Sequence, residues 1–352
     1  MAFRHLREGH EEVKPKSSFK RGLAAFAAAS IGVLALSACT PASSTSETSN
    51  GLDKLGSRAE NRSVYFLTYY NPAGDAFWGQ ILKGAEDAAK LGGLAMTHQT
   101  ADADPDKMVD LVGTASASNP AVIVMPFNEG EKWVKVACDA SKAGIKVIAY
   151  NVPAPESAAD CVSGFVGQDF FEVGTLVGAR LATEAKLASG DKVLFPAEEP
   201  EQNYAIQRGG GVQKALDEIG AKGEYLRTSA SDEEALNSLT SWLIANKDVK
   251  AIAPLGGTPH RNILAAMEAA GVKVPVVGFD TSPQVIDGIK SGDIIATADQ
   301  QGFVQGFQSV MQSVLALDFG LAPANINSGG TALVDKTNVA NLEAPDLQGV
   351  RW

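Results

Sequence analysis

From Ser63 to Phe319 the chain alternates short apolar or β-branched runs with longer amphipathic segments. The runs Ala121–Met125 (AVIVM) and Lys146–Tyr150 (KVIAY) are almost wholly apolar, which is typical of strands that are covered on both faces. The intervening segments, such as Phe77–Leu91, repeat their apolar residues with the period of a helix. Because a strand-helix alternation folds through right-handed crossovers into parallel sheets, the sequence predicts an α/β protein.

This alternation occurs in two successive series. The proline-rich stretch from Val152 to Glu156 separates them. Roughly 300 residues can bury two ordinary cores, so we expect two doubly wound parallel-sheet lobes. In such folds the ligand lies outside the carboxyl ends of the strands, and binding residues are therefore expected directly after strands.

The first 38 residues have the pattern of an export signal. A positive segment with Lys14, Lys16, Lys20 and Arg21 precedes an apolar run from Leu23 to Leu36, which is too short to cross a bilayer core of ~30 Å. The run ends in Leu36-Ser37-Ala38-Cys39, which resembles the lipobox of bacterial lipoproteins, where the cysteine is acylated and becomes the first residue. The alternative is an ordinary secretory signal with Cys39 incidental. We predict a lipoprotein signal peptide over residues 1–38, a flexible Ser/Thr-rich tether over residues 39–60, and an extracytoplasmic protein anchored to the cell membrane only through the Cys39 lipid.

The chain is acidic. Its formal charge of −11 becomes −14 when the six basic and three acidic residues before Cys39 are removed. A surface of this charge argues against nucleic acid and against anionic membrane as partners.

Two cysteines remain besides Cys39, namely Cys138 and Cys161. An even pair in an oxidising compartment favours a disulfide, which would close a loop of about two dozen residues and stabilise the fold by roughly 3 kcal/mol. Two buried free thiols are the alternative, because the sequence does not show whether the two Cα atoms come within reach.

The sequence does not support an enzyme. After the predicted signal only His98 and His260 remain among the histidines, and neither belongs to a metal-ligand cluster. There is no G-x-S-x-G elbow and no Walker loop. The triplet Gly209-Gly210-Gly211 lacks the spacing of a dinucleotide loop, which favours close packing or a flexible helix start. We predict no catalytic residues, no metal and no cofactor.

Four segments at predicted strand ends carry a family resemblance. They are Asn71 through Gly84 (NPAGDAFWGQILKG), Ala149-Tyr150-Asn151, Val277-Gly278-Phe279-Asp280, and Ala296 through Gln301 (ATADQQ). In this order after a lipobox, they resemble the type I periplasmic binding proteins, in particular the ribose-binding-protein-like sugar-binding lipoproteins. The resemblance extends from Arg62 to about Phe319.

The resemblance implies a set of ligand-binding residues in the first lobe. The loop after the first strand of the family lays aromatic rings against the sugar, and here the matching residues are Phe77 and Trp78, with Asp75 beside them. Aromatic faces suit the C–H faces of a pyranose or a polyol; one ring could instead be helix core. Asn151 stands where the ribose binder carries an aspartate, and its amide can both donate and accept. Asn128 could reach the ligand or only cap the next helix.

The second-lobe site departs further from the family pattern. Asp280 matches the carboxylate after the Gly-Phe strand end, and Gln300 matches the hinge-side glutamine. The alternatives are a helix N-cap for Asp280 and a backbone bridge for Gln300. The family's arginine would fall near Ile206, where no cation stands. We therefore expect substitutes from the neighbouring polar residues. The predicted set is Gln202, Tyr204, Thr258 and His260, and Asn203 and Arg208 are further candidates. His260 could equally be a solvent-exposed residue at a helix start.

The family architecture implies two lobes joined by three crossing segments, near Gly167, near Gln300 and near the end of the last helix. The N-terminal lobe is expected to hold residues 61–166 plus 301–325, and the C-terminal lobe residues 167–300 plus 326–352. The lobes would close on a small sugar or polyol and present it to an ABC permease, with the protein acting as a monomer. A ligand-sensing co-receptor for a membrane kinase or chemoreceptor is the alternative, and a secreted hydrolase is a weaker one.

Overall fold

In the computed structural model the described residues are 54–329, 333–343 and 350. The predicted signal peptide and the predicted lipidation site at Cys39 lie outside them. Part of the predicted tether is not free: the backbone N–H groups of Gly56 and Arg58 donate to the Asp318 carboxylate at 2.6 and 3.1 Å. The prediction of a flexible tether up to residue 60 is therefore wrong for residues 54–60, because a buried carboxylate holds them.

The predicted alternation is confirmed up to the last helix, and the two short strands after it were not predicted. The described residues contain twelve strands and nine α-helices. In chain order they are β1 (Ser63–Thr68), α1 (Ala76–Leu91), β2 (Ala95–Thr100), α2 (Pro105–Ala117), β3 (Val122–Met125), α3 (Val134–Lys142), β4 (Lys146–Tyr150), β5 (Gly164–Gly167), α4 (Phe170–Glu184), β6 (Lys192–Ala197), α5 (Asn203–Asp217), β7 (Lys222–Arg227), α6 (Asp232–Ala245), β8 (Ala251–Ile252), α7 (Gly257–Ala270), β9 (Val277–Phe279), α8 (Pro283–Ser291), β10 (Ala296–Ala298), α9 (Gly302–Phe319), β11 (Ile326–Asn327) and β12 (Leu333–Asp335).

Local sequence starts several of these helices. Asp75, Asp104, Asp169 and Ser282 each stand at an N-cap, and each side chain accepts a backbone N–H of the first turn. This satisfies donors that have no partner inside the helix. Gly271 ends α7 in the left-handed conformation that a glycine adopts without steric cost.

The strands form two groups. The first is a parallel six-stranded sheet in the order β11-β5-β4-β3-β1-β2. The second consists of two three-stranded sheets, β7-β6-β8 and β9-β10-β12, which a parallel bridge between Ile252 and Val276 connects. Only β12 runs antiparallel to its neighbour. The fold is thus the predicted one of two doubly wound lobes.

Each lobe has its own apolar core. In the first lobe the buried residues include Phe66, Ile123, Trp133 and Tyr150. In the second lobe one cluster lies on each side of the sheets, with Phe195 in one and Leu194 in the other. Adjacent residues of β6 thus pack into opposite clusters, which is the expected consequence of a strand covered on both faces.

Three chain segments connect the lobes, around residues 167–169, 299–301 and 327–329. Ser328 lies in the third of these segments and is hydrogen-bonded to the first two. Its N–H donates to the Gly167 carbonyl at 2.8 Å, and its hydroxyl donates to the Gln300 carbonyl at 3.0 Å. The third crossing therefore comes after β11 and not at the end of α9. Because β11 pairs with β5, the start of the predicted second-lobe segment 326–352 belongs to the first sheet.

Cys138 and Cys161 form the predicted disulfide, with their Cα atoms 4.9 Å apart. It ties α3 to the loop before β5 across a sequence separation of 23 residues. In the chain-entropy model a loop of this length stabilises the fold by about 3 kcal/mol.

Replacing both cysteines with alanine is expected to lower the free energy of unfolding by about 3 kcal/mol, because the unfolded chain regains the loop entropy. Denaturant unfolding with and without reductant measures this. Reductant should destabilise the parent protein by a similar amount and leave the double variant unchanged. A double variant within 1 kcal/mol of the oxidised parent would contradict the prediction.

Two pairs of helices cross at glycines. A Cβ added at Gly306 of α9 would lie 1.8 Å from the Ile81 carbonyl oxygen of α1, and one at Gly84 would lie 2.2 Å from the Phe303 oxygen. In the second lobe a Cβ at Gly211 of α5 would lie 2.2 Å from the Phe171 oxygen of α4. The close-packing interpretation of the glycine triplet is therefore confirmed for Gly211, which lies in a helix interior and not at a helix start.

Candidate functional site

A cavity of about 590 Å³ lies between the lobes at the carboxyl ends of their strands. Both lobes contribute to its lining. The structure brings together there most of the residues singled out from the sequence, namely Asp75, Phe77, Trp78, Asn128, Asn151, Tyr204, Thr258, Asp280 and Gln300.

The first-lobe wall is aromatic. Phe77 and Trp78 meet edge to face with ring centroids 6.2 Å apart, and Trp78 packs in the same way against Tyr150. Trp78 is 5% exposed and belongs to the core, whereas Phe77 is half-buried at the cavity. The two rings therefore have different surroundings: Trp78 is packed in the core, and Phe77 lies at the margin of the core, beside the cavity.

Asp75 caps a helix and lines the cavity. Its carboxylate accepts the Trp78 N–H at 3.1 Å and so caps α1, and it also lines the cavity. The pKa of this carboxyl is raised overall because of its burial. The Trp78 N–H and the nearby Arg261 offset part of this increase. The described residues place no cation in ion-pair contact with it.

Asn151 and Asp280 follow β4 and β9 directly, and both adopt left-handed backbone conformations with φ of 60° and 68°. Asn and Asp tolerate this region better than other residues with a Cβ. Such conformations persist where the surrounding structure holds them and cluster at binding sites. The geometry turns the chain sharply at the end of each strand, at the edge of the cavity.

A chain of polar side chains crosses from the second lobe to the first. Arg208 Nη1 donates to Asp280 Oδ2 at 3.2 Å, and Gln300 Nε2 donates to Asp280 Oδ1 at 2.5 Å. Asn151 Nδ2 then donates to Gln300 Oε1 at 3.3 Å and to Gln305 Oε1 at 3.0 Å. The helix-cap interpretation of Asp280 is wrong, because Ser282 caps α8.

Arg208, one of the further candidates and not a member of the predicted set, is the cation of this site. It is 2% exposed, and its guanidinium lies 4.7 Å from the Phe170 ring centroid and 4.6 Å from that of Phe279. It also donates to the Leu255 carbonyl at 2.5 Å. The resemblance placed the family's arginine near Ile206, and Arg208 lies two residues later on α5.

Glu198 is a second cavity residue that the sequence analysis missed. It follows β6 immediately and is 9% exposed. Its carboxylate accepts the Tyr204 hydroxyl at 2.6 Å and the Thr258 backbone N–H at 2.8 Å. Gly256 makes room for it, because a Cβ there would lie 1.8 Å from Glu198 Oε2. The rule that binding residues follow strands could have identified Glu198.

Two predicted site residues lie elsewhere. His260 is 1% exposed and outside the cavity lining; its Nδ1 is 2.7 Å from the Phe279 carbonyl oxygen, and burial lowers its pKa to about 4. It is therefore neither a cavity residue nor a surface residue, because Gly278 leaves space for the ring. Gln202 lines a neighbouring cavity of about 540 Å³ instead.

That neighbouring cavity has an acidic rim. Gln202 Nε2 donates to Glu129 Oε1 of the first lobe at 3.2 Å and also to Glu199 of its own lobe. The amide thus joins two carboxylates across the lobes. Burial, and then Glu129 and Glu201, raise the pKa of the Glu199 carboxyl. The ionised form of Glu199 is therefore less favourable in the folded protein than in the unfolded chain.

We expect Glu199→Gln to raise the melting temperature at pH 7 and to lose this advantage on acidification. With a raised folded-state pKa, the cost of ionising Glu199 is fully present above that pKa and absent below the unfolded value of about 4.3. Glutamine keeps the acceptor for Gln202. Melting temperatures of parent and variant between pH 7 and pH 4 measure the difference; a gap that widens towards pH 4 would contradict the prediction.

Other chemistry is sparse in the part of the chain that the structure describes. No group of three or more His, Cys, Asp or Glu is placed to hold a metal there. His98 Nε2 lies 3.0 Å from the Thr68 hydroxyl, away from the cavity lining. Within the same residues no helix has the length and apolarity needed to cross a membrane.

The fold and the cavity define a class of protein: two doubly wound lobes, three crossing segments, and a polar and aromatic cleft at the strand ends. A family model described as periplasmic binding protein domain matches residues 66–321. The chain belongs to this family and is a type I, ribose-binding-like member of it.

Two curated relatives share more than a quarter of their aligned residues with this chain. The D-ribose/D-allose-binding protein of Pseudomonas aeruginosa is 28% identical over 250 residues, which cover 69% of this chain and 76% of that protein. The D-apiose import binding protein of Paraburkholderia graminis is 29% identical over 242 residues, with coverage of 66% and 76%.

Solved structures show the same fold. A carbohydrate transporter from Acidothermus cellulolyticus in complex with myo-inositol superposes with a TM-score of 0.74 at 24% identity, covering 83% of this chain and all of that one. A periplasmic solute binding protein from Actinobacillus succinogenes with bound D-allose has a TM-score of 0.70 at 25% identity, covering 79% of this chain and 99% of the other.

Proposed function

We propose that this protein is an extracytoplasmic solute-binding lipoprotein that captures a sugar or polyol in the interlobe cleft and delivers it to an ABC importer, without catalysis. The observation that carries the proposal is the polar chain Arg208–Asp280–Gln300–Asn151 beside the aromatic residues Phe77 and Trp78. A flat ring or extended polyol has apolar C–H faces and hydroxyl edges, and the two sets of side chains suit these two surfaces.

The relatives support this ligand class. The ligands given in their names or bound in their structures are pentoses, an aldohexose and a cyclitol. All are small, neutral and polyhydroxylated. A cavity of about 590 Å³ has room for a molecule of this size together with water.

Capture follows from the position of the polar chain. Asp280 and Arg208 belong to the second lobe, Asn151 belongs to the first, and Gln300 lies in a crossing segment. A ligand that bonds to both lobes favours the closed arrangement by its differential affinity. Closure around hydroxyls leaves a protein group unpaired when an analogue lacks one of them, which gives stereochemical selectivity.

The proposal is tested by thermal shift of the mature chain against pentoses, hexoses, pentitols, hexitols, inositols and amino acids. A ligand that binds only the native state raises the melting temperature by mass action. One stereochemical class of carbohydrate or polyol that raises the midpoint by several degrees supports the proposal. A flat response to every carbohydrate and polyol overturns it.

Anchoring is tested at the cysteine of the proposed lipobox. Cys39→Ser is expected to move the protein from the detergent phase of a phase-partition experiment to the aqueous phase, because the mature chain then has no acyl chains. Incorporation of labelled palmitate should disappear with it. A Cys39→Ser protein that still enters the detergent phase would show that something other than this residue anchors it.

A further inference from the structure

We propose that the cleft selects its ligand by charge: it binds an amine-bearing sugar or polyol more tightly than the neutral parent and rejects sugar acids and sugar phosphates. The inference rests on the proposed function and deepens it. Its determinants are the carboxylates of Asp75 and Glu198, which both line the cavity.

Every cation that lines the cavity is already paired with a carboxylate. Arg208 bonds to Asp280 and to the Leu255 carbonyl and lies between two aromatic rings. Arg261 Nε lies 2.6 Å from Asp232 Oδ1. Among the described residues no lysine lines the cavity. An anionic ligand would therefore have to compete with Asp280 for Arg208, or with Asp232 for Arg261, to gain a positive partner.

In contrast, two cavity carboxylates form no ion pair among the described residues and are hydrogen-bonded to neutral groups; Arg261 acts on Asp75 only from beyond ion-pair distance. Asp75 accepts a backbone N–H at its helix cap. Glu198 accepts the Tyr204 hydroxyl and the Thr258 N–H, and the close approach of Gly256 holds it in place. Three further carboxylates of the lining, Asp102, Asp232 and Asp280, each have a cationic partner.

The uncompensated charge of the cavity is consequently negative. A protonated amine placed beside Asp75 or Glu198 would make a charge-assisted hydrogen bond, about twice as strong as the bond of a hydroxyl. We expect the amine to bind about five- to tenfold more tightly than the hydroxyl, because part of the gain is offset by desolvation of the ammonium group. A carboxylate or phosphate at the same position would meet like charge.

The experiment compares matched triplets at pH 6, where a sugar amine is protonated. The probes are D-glucose, D-glucosamine and D-glucuronate, and the corresponding galactose series, measured by calorimetry with the mature protein. We expect each amino sugar to bind about five- to tenfold more tightly than its neutral parent and each uronate to show no binding.

The variant Asp75→Asn tests the residue. Asparagine keeps an acceptor for the Trp78 N–H but removes the charge, so the preference for the amine should fall towards equality. The matched control is Asp87→Asn, an exposed carboxylate of the same helix that pairs with Lys83, and it should leave the preference unchanged. Without any ligand, Asp75→Asn should melt at a higher temperature at pH 7, because an unpaired half-buried charge is removed.

The outcomes separate the charge inference from the proposed function. Neutral sugars that bind together with uronates of equal or higher affinity overturn the charge inference and leave the sugar binder in place. An amine preference that persists in Asp75→Asn and Glu198→Gln overturns the assignment of these residues. If none of the six probes binds, the charge inference is overturned. The wider carbohydrate panel separately decides the proposed function.

Discussion

Replacing Arg208 with methionine is expected to abolish detectable ligand binding and to lower the free energy of unfolding by about 3–5 kcal/mol. Methionine retains much of the volume between the Phe170 and Phe279 rings but leaves the Asp280 carboxylate, which is 13% exposed, without its cation. Removing one partner of a buried pair costs more than the pair contributes, because the other charge stays buried and uncompensated.

A second substitution separates stability from binding. In the double variant Arg208→Met/Asp280→Asn no charge is left unpaired, so most of the lost stability should return. Ligand affinity should not return, because the binding site still lacks the Arg208 guanidinium and the Asp280 carboxylate. Arg208→Lys should fall between parent and methionine, since a lysine keeps the charge but not the planar group that stacks on rings.

The matched control is Arg180→Met on the neighbouring helix α4. Arg180 bonds to Glu184 and Asp335 with 36% of its side chain exposed, and such pairs contribute at most about 1 kcal/mol. Denaturant unfolding and calorimetry with the sugar identified by thermal shift provide both readouts. Arg208→Met with parent-like affinity would remove Arg208 from the site.

The strands and helices could be predicted because their signals are local. A buried parallel strand needs a run of apolar residues, and Val122–Met125 and Lys146–Tyr150 consist almost entirely of such residues. Strand length was harder to predict: the strand Ala251–Ile252 is two residues long, although the apolar run continues to Leu255. Pairing partners determine where a strand ends, and these lie far away in the sequence.

The site was predictable where a residue follows a strand and harder to predict where a helix presents it. Asn151 and Asp280 stand at strand ends, and the structure places both at the cavity. Arg208 lies in the second turn of α5, and whether its side chain reaches Asp280 depends on how that helix packs. One signal was available: Gly211, three residues later, allows α5 to approach α4 closely.

His260 shows the limit of local reasoning most clearly. A histidine near a helix start with glycines before it is typical of an exposed or a ligand-facing position. It is buried instead because Gly278, on a strand remote in sequence, has no side chain: an added Cβ would lie 2.9 Å from the imidazole Cε1. Only the packed structure shows that this space exists.

Gly306→Leu is expected to destabilise the protein by roughly 3 kcal/mol or more, because overpacking forces α1 and α9 apart. An added Cβ at Gly306 would lie 1.8 Å from the Ile81 carbonyl oxygen, and backbone atoms cannot move aside as a flexible side chain can. Gly306→Ala should show the same sign with a smaller loss. The cost falls on the first lobe, where α1 carries Phe77 and α9 carries Gln305.

A glycine of α2 supplies the control with the opposite sign. A Cβ at Gly113 would have nothing within 4 Å, so Gly113→Ala is expected to stabilise the protein by about 0.5–1 kcal/mol through the lower entropy of the unfolded chain and better helix propensity. Denaturant unfolding of both variants measures the contrast. Equal effects at the two positions would mean that helix propensity alone determines how glycine replacement changes stability. The crossing of α1 and α9 would then not be the close contact that the structure shows.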